Sequence, residues 1–479
     1  MKISPTPPIK SFKRLQVADG LLITPAHWQD TQTYHRQRQN FHFQCIHQPG
    51  IISGLGVTLT QATEEIESRY RDGRWLKIQP GIAIDAAGNP IVVTQPEIFQ
   101  VKSTLSTTHS SALIYLVINY VDPEHLRYPP DQTTVPETYR IIQKTTLDPL
   151  DIELCRIELT EQSSNQSSNQ SSNQAQSISL PANVYQPTPN TLDHRYRLTV
   201  APRPQQNVRV AHIATDTASD TTSQTIQQGY RHLLHATSSL YPALQANGNL
   251  QPLSIQSLAH QSFDSCDLLV CDDRQLPTLA EKAPQLQKYL FEGGVLCVHA
   301  PLLDTQLEQL QTVRIELLAA HADLGENNRL ETSVLSEIEA TEADITQYIQ
   351  QQCEPVFRFA ARLNYPISGA GTVATDHPLL TAPFLFYRLP QIQQQLAHVF
   401  CWGGLVLIVS SLVDTWALSD RIAPSRATLR TAQEWGINLL HYAARYRHLH
   451  RLQGTGSAPP APTSSRSLNT AINQIVKAS

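Results

Sequence analysis

Apolar positions along the first third of the chain recur every second residue in short runs. Trp75–Gln79 (WLKIQ), Ile82–Ile84, Ile91–Val93 and Ile98–Val101 are such runs, as is the β-branched Gly54–Thr60 (GLGVTLT). Gly or Pro punctuates them, and period two with those breakers predicts short antiparallel strands. Leu113–Tyr120 (LIYLVINY) is apolar almost throughout and predicts the most buried strand, and Leu154–Leu159 predicts the last. Ahead of them, Thr24-Pro25 supplies an N-cap and a proline at the first helical position. A helix is expected from Pro25 to about His47, ended by Pro49-Gly50. The first module is therefore mostly β with one long helix.

After residue 190 the period changes. Val208–Ile213, Leu253–Leu258, Cys266–Cys271 (CDLLVC), Gly294–His299 (GVLCVH) and Gly404–Ser410 (GLVLIVS) predict strands. Ser223–Ser239, Ala283–Gly293 and Thr428–Leu449 predict helices between or after them. Strands alternating with helices imply βαβ units and a mainly parallel sheet buried on both faces. The expected fold is thus α+β followed by an α/β domain with a mainly parallel sheet. Between the two, Ser163–Gln174 reads SSNQ three times. Such a tract buries too little apolar surface to offset its ordering entropy. The expected organisation is a docking module over 1–160, a disordered linker over 161–190, the α/β domain over 191–452 and a disordered tail over 453–479.

Composition narrows the function classes. The chain has 479 residues, enough for two modules. Its 36 basic against 41 acidic side chains give a net charge of −5, without the basic footprint of a nucleic-acid binder. The seven cysteines are scattered without a C-x-x-C pair, so neither a zinc site nor a disulfide framework is indicated. That usage fits a reducing, cytoplasmic location. The apolar run Val406–Val413 contains two serines and is too short to span a bilayer, so no direct membrane insertion is expected. Any place near a membrane would come through partner proteins.

Two resemblances add to this. Phe263–Val270 (FDSCDLLV), Leu286–His299 (LQKYLFEGGVLCVH), Asp376–Leu380 (DHPLL), Leu405–Ser411 (LVLIVSS) and Trp435–Ala443 (WGINLLHYA) resemble, in order and spacing, the domain family of unknown function 4159. That family looks like a relative of the class I glutamine amidotransferase-like and flavodoxin-like folds. The first half resembles uncharacterised baseplate-associated proteins of contractile injection systems. Its carriers are Asp19–Thr24 (DGLLIT), Tyr34–Asn40 (YHRQRQN), His47–Val57 (HQPGIISGLGV) and Pro80–Val93 (PGIAIDAAGNPIVV). Pro25–Gln29 (PAHWQ) is similar to a stretch opening type VI secretion baseplate subunits. These likenesses imply protein subunits of a larger assembly as partners.

Chemistry candidates are few. An amidotransferase-type nucleophile needs a Cys or Ser on a glycine-flanked strand-to-helix turn, with a His nearby. Cys297 sits in mid-strand with Gly293 and Gly294 before it and no glycine after, which points it into the sheet packing. Ligands of open α/β sheets bind at strand ends. That rule singles out His299 and Asp304 after one strand and Ser411 after another, beside Ser410. Asp376-His377 could pair a carboxylate with an imidazole, or form a turn before Pro378. His35 and His42 share a helix face without an acidic partner, so no metal site follows. Asp85 is expected to accept backbone N–H groups in the AAGNP turn. No cofactor is implied.

The sequence therefore favours a non-catalytic structural or adaptor subunit of a contractile injection particle. The alternative is an amidotransferase-like hydrolase or small-ligand-binding protein with its site at the strand ends. Limited proteolysis should cut first between Glu161 and Gln186; resistance there would contradict the linker.

Overall fold

Proline at the first helical position and a Thr24 cap start α1, Pro25–Ile46, as the sequence predicts. Thr24 and His27 cap each other: Thr24 Oγ1 accepts from the His27 N–H, and His27 Nδ1 accepts from the Thr24 N–H, each at 3.4 Å. The computed structural model describes residues 7, 10–61, 72–102, 111–129, 132, 134–160, 177–214, 221–246, 250–254, 266–300, 305–323, 329–364, 373–392, 395–419 and 423–453. The chain divides into two units between Arg203 and Pro204.

In the first unit, α1 is followed by β1 His47–Gln48, β2 Gly50–Gly54, β3 Val57–Leu59, β4 Trp75–Ile78, β5 Gly81–Ile84, β6 Pro90–Val93 and β7 Glu97–Gln100. Next come β8 Ser111–Val121, β9 Thr138–Lys144, β10 Ile152–Thr160 and β11 Ala201–Pro202. These strands pair antiparallel and make three-stranded sheets, β2-β5-β6, β3-β4-β7 and β10-β8-β9, with β1 paired to β11. Their inward residues, among them Ile51, Leu76, Ile91, Leu116 and Leu154, share one core. Asp85 takes the role expected of it: its Oδ1 accepts from the Ala87 and Asn89 N–H groups at 2.9 and 2.8 Å. Helix α1 buries no residue in this core. It is held by polar contacts instead, such as Asn40 Nδ2 donating to Asn89 Oδ1 at 2.6 Å and Arg36 paired with Asp122 at 3.2 Å. Gly88, at φ +84°, leaves the room for Asn40 there, since a Cβ would lie 2.3 Å from the Asn40 carbonyl oxygen.

The boundary differs from expectation. Residues 177–203 belong to the first unit, so the second begins at Pro204 and not at 191. Ile178 and Leu192 are buried in the first core. Backbone bonds tie the segment to β10: the Asn190 N–H donates to the Glu158 carbonyl at 2.8 Å, and Arg156 and Asp193 exchange two bonds. Main-chain pairing of this kind leaves no mark on side-chain composition, which is why a polar, proline-bearing stretch resembles a linker. The SSNQ repeats and the tail beyond residue 453 lie outside the described residues.

The second unit opens with β12 Gln206–Val208, β13 Val210–Ala214, α2 Thr221–Leu240, β14 Leu244–Ala246, β15 Gln251–Ser254 and β16 Leu268–Asp272. It continues with α3 Leu276–Ala280, α4 Ala283–Phe291, β17 Val295–His299, α5 Thr305–Asp323, α6 Arg329–Gln352, α7 Glu354–Arg362 and α8 Pro378–Thr381. It closes with β18 Gln391–Ile392, β19 Gln395–Leu396, β20 His398–Trp402, β21 Leu405–Val409, α9 Leu412–Ala417 and α10 Arg426–Leu452. The sheet runs β15-β13-β16-β17-β21-β20, parallel except for β20. The parallel strands thus take the doubly wound order 2-1-3-4-5. One face carries Val210, Val270, Cys297 and Ile408 under α2, α9 and α10. The other carries Ile213, Leu269, Val298 and Leu407 under α3, α4, α6 and α7.

Asn190 sits at φ +60° with its Nδ2 donating to the Thr160 carbonyl at 3.0 Å and its Oδ1 accepting from the Thr160 N–H at 3.1 Å. Asn190→Ala should cost about 3 kcal/mol, from two lost hydrogen bonds and a disfavoured left-handed backbone. Asn190→Gly should cost about 1 kcal/mol less, because it removes only the backbone penalty. Amide exchange of β10 under mild denaturant reads both, and equal costs would contradict the backbone share.

Candidate functional site

Strand β17 is buried at every position, so a polar side chain on it must find its partner inside the protein. His299, its last residue, is 3% exposed. Its Nε2 lies 2.9 Å from the Tyr230 hydroxyl of α2 and 3.6 Å from Cys297 Sγ. The Tyr230 and Trp416 rings stand edge-on to it at 5.6 and 6.3 Å. Nδ1 has no hydrogen-bond partner among the described residues.

Cysteine and imidazole are within reach of each other, which is the first requirement of nucleophilic cysteine chemistry. Their electrostatics run the other way. Burial pushes the Cys297 thiol up to about 12. Burial, reinforced by His212, pushes the His299 imidazole down to about 3. Both groups are held neutral, whereas a reactive pair is a thiolate beside an imidazolium. The contact is core packing that satisfies Tyr230.

Among the described residues, no hydrogen bond or ring contact joins the remaining predicted residues to His299. Asp304 lies outside the described residues. Asp376 is exposed in a turn, while His377 is the N-cap of α8: its Nδ1 accepts from the Leu379 N–H at 3.2 Å. Its ring packs on Tyr442 of α10 at 5.4 Å, and burial lowers its pKa. Ser411 begins α9, its carbonyl accepting from Thr415, and Ser410 Oγ accepts from the Leu412 N–H at 3.3 Å. Both serines line a small cavity together with Gln311 and Leu396. Those two residues also line a groove of about 820 Å³, which none of the described predicted residues reaches.

Sequence reasoning missed residues at the carboxyl end of β16, next to the switch point between strands one and three, where open α/β sheets bind ligands. Asp272 caps a short turn there, accepting from the Arg274 N–H at 2.8 Å and pairing with its guanidinium at 2.5 Å. Burial works to raise the Asp272 pKa, but Arg274 outweighs it and the net direction is down. Burial first, and then Asp272 beside it, push Asp273 up to about 7. A CDD triplet after an apolar strand was the available signal. Asn438 of α10 was likewise legible only as a motif letter. It is fully buried and clamps the loop after α8, with Nδ2 donating to the Leu379 and Phe384 carbonyls at 3.1 and 2.7 Å and Oδ1 accepting from the Phe384 N–H. Among the described residues no cluster of three or more His, Cys, Asp or Glu could hold a metal ion, and no helix is long and apolar enough to cross a membrane.

Comparison with known proteins adds little. No family model matches the chain, and no curated protein matches it. Among solved structures it is similar to one described as a crystal structure of TssK, at 10% identity over 70% of this chain and 69% of that one, with a TM-score of 0.22. A likeness that loose carries no inference about fold or function.

Because His299 is neutral when folded and titrates near 6.5 when unfolded, the unfolded chain binds more protons between about pH 3 and 6.5. The stability of the neutral ring is fully present above about pH 6.5 and is lost as pH falls, by about 1.4 kcal/mol per unit. His299→Gln should therefore be less stable than the parent at pH 8, with a deficit that shrinks toward pH 4. Urea midpoints by tryptophan fluorescence measure this; a deficit independent of pH would contradict the buried neutral ring.

Proposed function

We propose that the protein is a non-catalytic structural or adaptor subunit of a contractile injection particle, associated with its baseplate or its anchoring end. The observation that carries this reading is what the motif stretches of the first half build. GIISG, PGIAID and NPIVV, which resemble baseplate-associated proteins, fold into the single sheet β2-β5-β6. Outward positions on a solvated sheet face are ordinarily polar. Here they include Ile52, Ile82 and Val92, exposed at 48%, 36% and 50%. Ile82 and Val92 are directly opposed across strands, and Ile52 sits in the bulge beside Ile82. Three branched aliphatics in one cross-strand row make a surface suited to a protein partner.

The second unit supports the same reading. Its Cys297–His299 contact is buried and neutral, and His377 caps a helix against Tyr442. The amidotransferase-like alternative needs an accessible nucleophile beside a base, and the geometry around His299 gives it no support.

Affinity capture of the full chain from its native cells should bring down sheath, tube or baseplate proteins. Ile82→Lys with Val92→Lys should reduce that capture on the order of tenfold while leaving the circular dichroism spectrum unchanged, since both positions are exposed. Consistent absence of particle proteins from the parent capture would end the proposal.

A further inference from the structure

The groove of about 820 Å³ on the second unit lies between α5, α6 and the residues Arg388, Gln391, Leu396 and His398. It falls in the size range of ligand pockets, roughly 300–1,000 Å³. Arg314 of α5 and Glu342 of α6 join across it at 2.6 Å and fix the spacing of the two helices. Ile315, Leu318 and Leu396 give it an aliphatic wall.

Its polar groups are arranged for a ligand. Gln311, 5% exposed, forms part of the lining. Its Nε2 donates to the Leu396 carbonyl at 3.4 Å and lies 3.2 Å from His398 Nε2. Burial, with Arg314 nearby, pushes His398 down to about 4, so the ring is neutral and its Nε2 accepts. Gln311 Oε1 is then left buried without a hydrogen-bond partner among the described residues. With that atom closed to solvent, Gln311 braces Leu396 and His398 in the groove wall. At the rim, Arg388 is exposed and makes no ion pair among the described residues. Thr346 and Gln350 stand one helical turn apart on α6, facing the same groove as Gln391.

These features ask for an occupant with a repeated amide, an aliphatic body and a negative charge. An extended chain repeats its groups every two residues, about 6.8 Å, close to the roughly 5–6 Å between helix positions four apart. We infer that the groove binds a short extended segment of a partner protein, with its backbone along Thr346 and Gln350, an aliphatic side chain against Ile315 and Leu318, and an acidic side chain at Arg388. The inference stands on this groove alone and does not depend on the identity of the assembly.

The test uses the full chain and three labelled six-residue peptides in fluorescence anisotropy, alternating leucine with glutamate, glutamine or lysine. The glutamate peptide should bind, and the lysine peptide on the order of tenfold more weakly. Arg388→Glu should reverse that order. Ile315→Asp should abolish binding of all three, with melting temperatures of both variants unchanged because both side chains are exposed. Equal affinity for the three peptides, no binding by any, or binding that survives Ile315→Asp would overturn the inference. Octanoate is the fourth probe. If it binds at these residues while no peptide does, the groove takes small carboxylates and the peptide assignment fails.

Discussion

A parallel sheet has to be covered on both faces, and in the second unit that requirement settles what the central strands can carry. Every residue of β16, β17 and β21 is buried. The cover is close. A Cβ on Gly436 would lie 2.8 Å from Leu233, and one on Gly229 would lie 2.8 Å from the Val413 carbonyl oxygen. Helices α2, α9 and α10 can approach to that distance only where glycine stands. Trp416 and Trp435 fill the space that remains, and the Trp416 indole N–H donates to the Ala432 carbonyl at 2.9 Å. Under such a lid a histidine at a strand end is not at a mouth. It is beneath α2, and Tyr230 answers it.

The same covering explains why the strand-end rule pointed to His299, a side chain that is closed off. The rule is topological and says where loops converge, not which residues they leave open. His299 satisfies it by position and fails it by burial. The ionic contacts at the opposite end of the sheet are of similar kind. Asp267, just before β16, accepts from the Arg209 N–H at 2.9 Å and lies 3.6 Å from the Arg447 guanidinium, while Arg447 donates to the Cys266 carbonyl at 2.8 Å. Arg447 is 3% exposed, so this pair fastens the closing helix to the sheet and is not available to a ligand. Perturbed and paired charges gather at functional sites, but structural networks perturb them too, and burial separates the two cases.

What was legible in the chain was what local periodicity encodes. The alternation of β4 to β7, the apolar runs of β16, β17 and β21, the Gly293-Gly294 helix end and the long α10 could all be read directly. What could not be read depends on partners far away in sequence. Tyr230 and His299 are 69 positions apart, and Gln311 and His398 are 87 apart. Helix α5 escaped for a second reason. Its apolar residues meet neighbours on several sides, with Leu307 in the sheet-side core and Val313 and Ile315 exposed, so no single stripe declares it. The groove's lining residues come from three separate stretches of sequence.

The two surfaces differ in kind, and the difference bears on what each could hold. Half-exposed Ile52, Ile82 and Val92 offer no donor, acceptor or charge in their side chains. Covering them would return about 3 kcal/mol, at the usual value for burying an aliphatic side chain. Association itself costs roughly 4–15 kcal/mol, so this row can only be the centre of a wider contact with a folded neighbour. The groove works at a smaller scale. It is walled on several sides, carries a cation that makes no ion pair among the described residues, and could discriminate by sequence on a short segment alone. A broad apolar contact fixes a protein in an assembly, whereas a polar groove chooses what is brought to it. On the proposed reading the first unit would dock and the second would select, and the sheet that buried its own histidine would serve as the rigid floor on which the selecting groove is built.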